Sequence, residues 1–216
     1  MDALTQPEPE VSEWTFRRAM FTLHGALLLM AFLLLYPAGV IAIKSGTSKS
    51  FKYHWTIQLA ASLLGTAGII TGLVLSPDIR TARHKQLGVL LGLLLGFQLF
   101  SGWRHHIIFT KIHRRTWISR VHIWVGRFII GLGWCNLMLG LSLGGYADGY
   151  IYLMAGVVCM EAISLVVVHF RYQRTVSKTK LAQIATRARE ASDNQFELGE
   201  DSSDDDDKLE ETYPLS

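Results

Sequence analysis

Acidic residues are nearly missing from the middle of this 216-residue chain: between residues 20 and 170 there are only Asp78, Asp148 and Glu161. Three carboxylates cannot cover a water-facing surface of that length, because charged residues make up about 25% of an ordinary soluble domain. Charge of either sign is scarce, at 18% of residues against 50% hydrophobic. Cysteine is scarcer still. Cys135 and Cys159 both fall within apolar stretches, which excludes a disulfide framework and predicts two small buried residues. Also absent are a phosphate-binding glycine loop, the spacings of zinc proteases or deaminases, and a Ser/His/Asp set on one side of a bilayer. Alternation of apolar and polar residues is lacking too: Leu27 to Leu35 is apolar without a break, which excludes the strands of a membrane β-barrel.

The missing acid is at the end. From Glu190 onward there are 11 acidic residues and one Lys, so the net charge of +3 hides a body with 20 basic and 7 acidic residues. An acidic tail repels phosphate, so nucleic acid is not an expected partner. Membrane lipid is.

A helix needs about 20 apolar residues to cross a bilayer, and five stretches qualify, predicting helices at about 19–43, 53–77, 85–103, 121–144 and 150–170. Arg127 interrupts the fourth and Glu161 the fifth. The expected fold is an all-α integral membrane protein, its first four helices forming a bundle. Residues 1–16 read as a short polar segment without a cleavable signal peptide, the first span serving as a signal anchor. Residues 173–216 read as a largely disordered acidic tail, with Leu181 to Ala191 able to form a short basic helix. Trp14, Trp55, Trp103 and Trp117 near the span ends fit an aromatic belt.

Basic residues in short loops are retained in the cytoplasm. Lys44, Lys49, Lys52, Arg104, Lys111, Arg114, Arg115, Arg120, Arg171, Arg174, Lys178 and Lys180 lie on one side, twelve against the five of Arg17, Arg18, Arg80, Arg83 and Lys85. The expected topology has the amino terminus outside or in a lumen and the tail in the cytoplasm, in a membrane the sequence leaves open.

Four histidines, His24, His54, His84 and His122, open the first four spans, one in each. Because consecutive helices alternate in direction, His24 and His84 share one level and His54 and His122 the other. In a bundle packed in order, helices one and three are diagonal, as are two and four, so each level offers two facing imidazoles. Such a pair suits a six-coordinate haem iron, its equatorial positions filled by the porphyrin; zinc would want a third protein ligand. His84 is followed at four-residue steps by Gly88, Gly92 and Gly96, and His122 by Gly126. Residues four apart share a helix face, so the third helix carries a bare groove where a flat macrocycle could lie, although such a ridge serves helix packing equally well.

These residues resemble the cytochrome b561 family of transmembrane di-haem electron carriers. The resemblance rests on His24-Gly25, the lone His54, His84-Lys85-Gln86-Leu87-Gly88, and Arg120-Val121-His122-Ile123-Trp124-Val125-Gly126-Arg127, and covers about residues 17–172. It is closest to the b561 domain of DOMON-associated members, with no DOMON domain expected in these residues. It implies two b-type haems, one on His24 and His84, the other on His54 and His122, passing electrons from cytoplasmic ascorbate or a similar reductant to an outer acceptor such as ferric chelate or monodehydroascorbate. An ascorbate-dependent ferrireductase is one enzyme this leaves open. A membrane haem subunit for a separate redox protein and a non-catalytic scaffold are the alternatives, and pairing with a second copy is also left open.

Secondary candidates follow from charge. Arg127 is costly in hydrocarbon unless it pairs or snorkels, and a haem carboxylate would serve. Arg80, Arg83 and Lys85 flank His84 and could hold propionates or an anionic reductant. His105, His106 and His113 are expected in a solvated loop, His169 at the interface, and Glu161 facing the bundle against a Tyr or Trp.

Overall fold

Every regular element of the computed structural model is helical, and the structure describes residues 9–112, 114 and 116–203. His113, Arg115 and the Asp204 to Asp207 block lie outside the described residues. Five helices are long and apolar enough to cross a membrane. The first span joins α1 (Pro9–Leu29) to α2 (Tyr36–Ile43) through a π-helical segment, Met30–Leu35; α3 (Ser50–Leu75), α4 (Arg83–Ile112), α5 (Trp117–Leu143) and α6 (Asp148–Ser203) follow.

The helices extend beyond the apolar runs, because charged residues can continue a helix once it leaves hydrocarbon. Thus α1 begins within the segment expected to be polar, and α4 runs nine residues past the expected end, through Arg104, His105 and His106. α6 continues to Ser203 and takes in Leu181 to Ala191, the stretch read as able to form a helix; Leu181, Ala182, Ala185, Ala188 and Arg189 are all strong helix formers. Thr116 caps α5, its hydroxyl accepting from the Ser119 N–H at 3.5 Å. The tight links after α2 and α5 turn at Gly46 (φ 72°) and Gly145 (φ 68°), where a side chain would strain the backbone.

The chain divides at Val168/His169. In the first unit, α1 packs on α3, α3 on α4, α4 on α5 and α5 back on α1. Packing is dense within two antiparallel hairpins, one made of the first span and α3, the other of α4 and α5, and sparser between them. Phe32, Leu95 and Ile129 are the largest fully buried side chains among the described residues. A π-turn leaves a carbonyl out of the regular ladder, and here the Phe32 oxygen accepts the indole N–H of Trp134 at 3.1 Å. Gly133 makes room for the Phe32 ring. Tyr36 donates to Ser62 at 3.1 Å and Ser62 to the Gln58 carbonyl at 2.8 Å, so these polar groups between the first span and α3 are paired. The second unit, from His169, is described as the rest of α6.

The belt tryptophans Trp14, Trp55, Trp103 and Trp117 are all exposed. Cys135 and Cys159 are exposed as well, correcting the expectation of burial: they face outward on their helices.

Candidate functional site

His24 and His84 meet across the bundle, their ring centroids 6.0 Å apart and their planes nearly perpendicular. With a metal–imidazole bond of roughly 2 Å, two coaxial rings on either side of one ion have centroids about 6 Å apart. At the other end His54 and His122 lie close enough for their charges to interact.

Each ring is held by a neighbouring helix. His24 Nδ1 lies 2.7 Å from the Gly68 carbonyl, His54 Nδ1 2.7 Å from that of Gly39, and His84 Nδ1 3.0 Å from that of Asn136. A carbonyl can only accept, so in all three Nδ1 carries the proton and Nε2 keeps its lone pair. His122 Nδ1 meets the Ser101 hydroxyl at 3.2 Å, and its ring also reaches the Gln98 main-chain carbonyl. The Ser101 proton is donated to the Gln98 carbonyl at 3.1 Å, which leaves the Ser101 oxygen to accept Nδ1–H. The same tautomer results. Metal-ligating histidines almost always donate their second nitrogen in this way, which fixes ring orientation and raises basicity.

The holding is reciprocal. The first span's His24 rests on α3 while α3's His54 rests on the first span, and α4's His84 rests on α5 while α5's His122 rests on α4. Glycines let the rings approach: an added Cβ would lie 2.6 Å from His24 Cε1 at Gly72, 2.9 Å from His84 Cε1 at Gly140 and 2.9 Å from His122 Cε1 at Gly102. Sequence reasoning missed these glycines. Their partners lie on other helices, so a single-helix pattern does not reveal them.

The glycine ridge that the sequence did suggest has space beside it. An added Cβ would touch only Asn136 Nδ2 at 3.8 Å from Gly88 and Ile69 at 3.7 Å from Gly92, and would meet nothing within 4 Å at Gly96. Gly126 instead faces the Gln98 amide, 2.7 Å from a would-be Cβ. That amide donates to the His122 carbonyl at 2.9 Å. Gln98 Oε1 and Asn136 Oδ1 are buried without partners, one near each pair. Buried orphan acceptors are uncommon in native structures and mark places where packing alone does not explain the residue.

Of the other candidates, Glu161 lies against a Trp as the sequence suggested and several are placed differently. Lys85 donates to Ser76 Oγ at 2.6 Å, Thr81 Oγ1 at 2.7 Å and the Asp78 carbonyl at 3.1 Å. An ammonium has three donors, so Lys85 staples the α3–α4 connection and has none left for a substrate. Arg80 pairs with Asp78 at 3.8 Å, and Arg83 is exposed. Arg127 is exposed with its guanidinium 4.9 Å over the Trp124 ring. Burial and the Arg127 charge push Lys44 below the ordinary lysine range, so two cations sit near the His54 and His122 end. His105 belongs to α4 and not to a loop, its ring 6.1 Å from that of His122, and His106 stacks on Phe51 at 4.4 Å. Glu161 faces Trp134 on α5, with its Oε2 unpartnered.

Among the described residues no three His, Cys, Asp or Glu side chains converge to hold a bare metal ion. Paired imidazoles with Nε2 left over and glycine-lined approaches fit a haem, whose porphyrin supplies the other nitrogen ligands of its iron.

No protein-family model matches the chain. Among curated proteins, it is 28% identical over 146 residues to a cytochrome b561 and DOMON domain-containing protein of Arabidopsis thaliana, covering 62% of this chain and 36% of that protein. A second protein of that description from the same plant is 29% identical over 150 residues, covering 65% and 37%. A cytochrome b561 domain-containing protein of Arabidopsis thaliana is 28% identical over 127 residues, covering 55% and 49%. The matched region thus spans about a third to a half of the length of these relatives. The chain is a distant homologue of cytochrome b561 domain-containing proteins, DOMON-associated ones among them.

Proposed function

We propose that this chain carries electrons between the two faces of a membrane through two b-type haems, one between His24 and His84 and one between His54 and His122. The observation that carries the reading is the uniform state of the four imidazoles. Four histidines on four spans each donate Nδ1–H to an acceptor on a neighbouring helix, so each keeps its Nε2 lone pair for a ligand. Bound haem supplies one-electron exchange between ferric and ferrous iron. The residues supply its place: His24 with His84 and His54 with His122 would hold the iron of each haem, and the apolar bundle would keep water from it.

In this reading the His54 and His122 end faces the cytoplasm, on the strength of the twelve basic residues. A small reductant such as ascorbate acts there, and an acceptor such as ferric chelate or monodehydroascorbate acts at the His24 and His84 end. Arg83 and Arg80 are then the outer cations nearest an anionic acceptor, and Lys44 and Arg127 the inner ones.

Pyridine haemochrome assay on His24→Ala, His84→Ala, His54→Ala and His122→Ala tests the reading. The expected result is two haems per wild-type chain and one in each variant, with His24→Ala and His84→Ala losing the same spectral component and the other two losing its counterpart. Wild-type protein without haem absorption would leave a membrane scaffold. Loss of neither haem from a stably inserted single variant would sink the pairing.

A further inference from the structure

His122 differs from the other three histidines in one respect: besides the Gln98 main-chain carbonyl, its ring meets a side chain, at Nδ1. That side chain, Ser101, is 5% exposed and belongs to α4. Three turns of α4 converge on His122. Gln98 donates its amide to the His122 carbonyl, Ser101 meets Nδ1, and His105 sets its ring 6.1 Å away. Positions 98, 101 and 105 are three and four apart, so they form one stripe of the helix. Gly102, beside Ser101, clears the space the ring occupies.

A carbonyl in a helix is fixed by the backbone and is insensitive to sequence. A serine hydroxyl accepts through an oxygen whose own proton is committed elsewhere, here to the Gln98 carbonyl. The hold on Nδ1–H then depends in part on one replaceable side chain. Donation from Nδ1 raises the basicity of Nε2, and a more basic ligating nitrogen would favour ferric over ferrous iron. Outer-shell hydrogen bonding is one of the levers by which a protein tunes a haem.

We propose that Ser101 is a positioning residue for the His54 and His122 site: it orients His122 and sets the reduction potential of the haem held there independently of the haem between His24 and His84. The inference rests on the haem reading above and goes beyond it by naming the residue that makes the two sites unequal.

Redox titration of the full-length protein in nanodiscs, followed at the α-band, tests it on wild type, Ser101→Ala and Ser101→Thr. The component missing in His54→Ala identifies the relevant haem. In Ser101→Ala that component should become easier to reduce, its oxidised-to-reduced ratio at fixed ambient potential falling about threefold or more. At 59 mV per tenfold for one electron this is a rise of ~30 mV. The other component should not move, and Ser101→Thr, which keeps the hydroxyl, should restore the wild-type value. Loss of that one haem from Ser101→Ala with retention in Ser101→Thr would also support positioning. An unchanged potential in Ser101→Ala, an equal shift of both components, or no rescue by Thr would overturn the proposal while leaving the haem reading intact. Wild-type protein with no haem by pyridine haemochrome would overturn both.

Discussion

Substituting Gly72 by alanine should empty the His24 and His84 site while making the host helix intrinsically more stable. The added methyl carbon would sit 2.6 Å from His24 Cε1 and 2.8 Å from its Nδ1. Ordinary carbon contact begins near 3.5 Å, so the ring must retreat by roughly 0.9 Å. It is tethered through a 2.7 Å bond from Nδ1 to the Gly68 carbonyl, and such bonds weaken beyond about 3.2 Å. The ring therefore either keeps its tether and clashes or gives it up, leaving a buried donor unsatisfied at a cost of about 1–3 kcal/mol. Against this, Gly to Ala in a helix interior gains about 1 kcal/mol. The steric effect wins at the histidine and the propensity effect along the helix. Gly96→Ala is the control, since nothing lies within 4 Å of the added carbon. Circular dichroism should show both variants as helical as wild type. Pyridine haemochrome should show the His24 and His84 component reduced at least severalfold in Gly72→Ala and unchanged in Gly96→Ala. Full occupancy of that component in Gly72→Ala would refute the reasoning, because the glycine would then not be shaping the ring's seat.

Two further expectations concern the ends of the spans. Lys85→Met removes three donated hydrogen bonds from the α3–α4 connection and should lower the thermal midpoint in detergent without changing the KM for an anionic acceptor; a raised KM at unchanged stability would return Lys85 to the substrate. For topology, an engineered glycosylation acceptor near Asp148 should be modified and one near Ser202 should not, as read by a gel shift after expression in microsomes, and the opposite pattern would exchange the donor and acceptor faces.

The histidines were legible in the sequence because imidazole is conspicuous in a long apolar run, and their levels followed from the alternating direction of the helices. Their seats were not legible. Gly39, Gly68, Ser101 and Asn136 act on rings 15 to 52 residues away, and three of the four do so through main-chain oxygens that carry no sequence signature. The π segment was equally hidden, since Met30 to Leu35 is apolar and offers no periodicity to break. Lys85 misled for a different reason: a cation beside a candidate ligand suggests a free charge, whereas Ser76, Thr81 and the Asp78 carbonyl were already within its reach. The length of α4 was underestimated because charge was taken as the end of the helix, when it marked only the end of hydrocarbon.

The reciprocal seating of the histidines bears on how the molecule is assembled. Each antiparallel hairpin contains two rings and the acceptors for both, so the contacts that orient its imidazoles lie within the hairpin itself. Neither hairpin holds a complete pair. His24 and His54 belong to one, His84 and His122 to the other, and each prospective site lies astride the seam where packing is sparser. A ligand that bridges both rings of a pair therefore acts as a rivet between two preformed halves. Removing it should let the halves part before either unravels, and two separately translated halves, cut in the α3–α4 connection, should reunite only when the rivet is supplied.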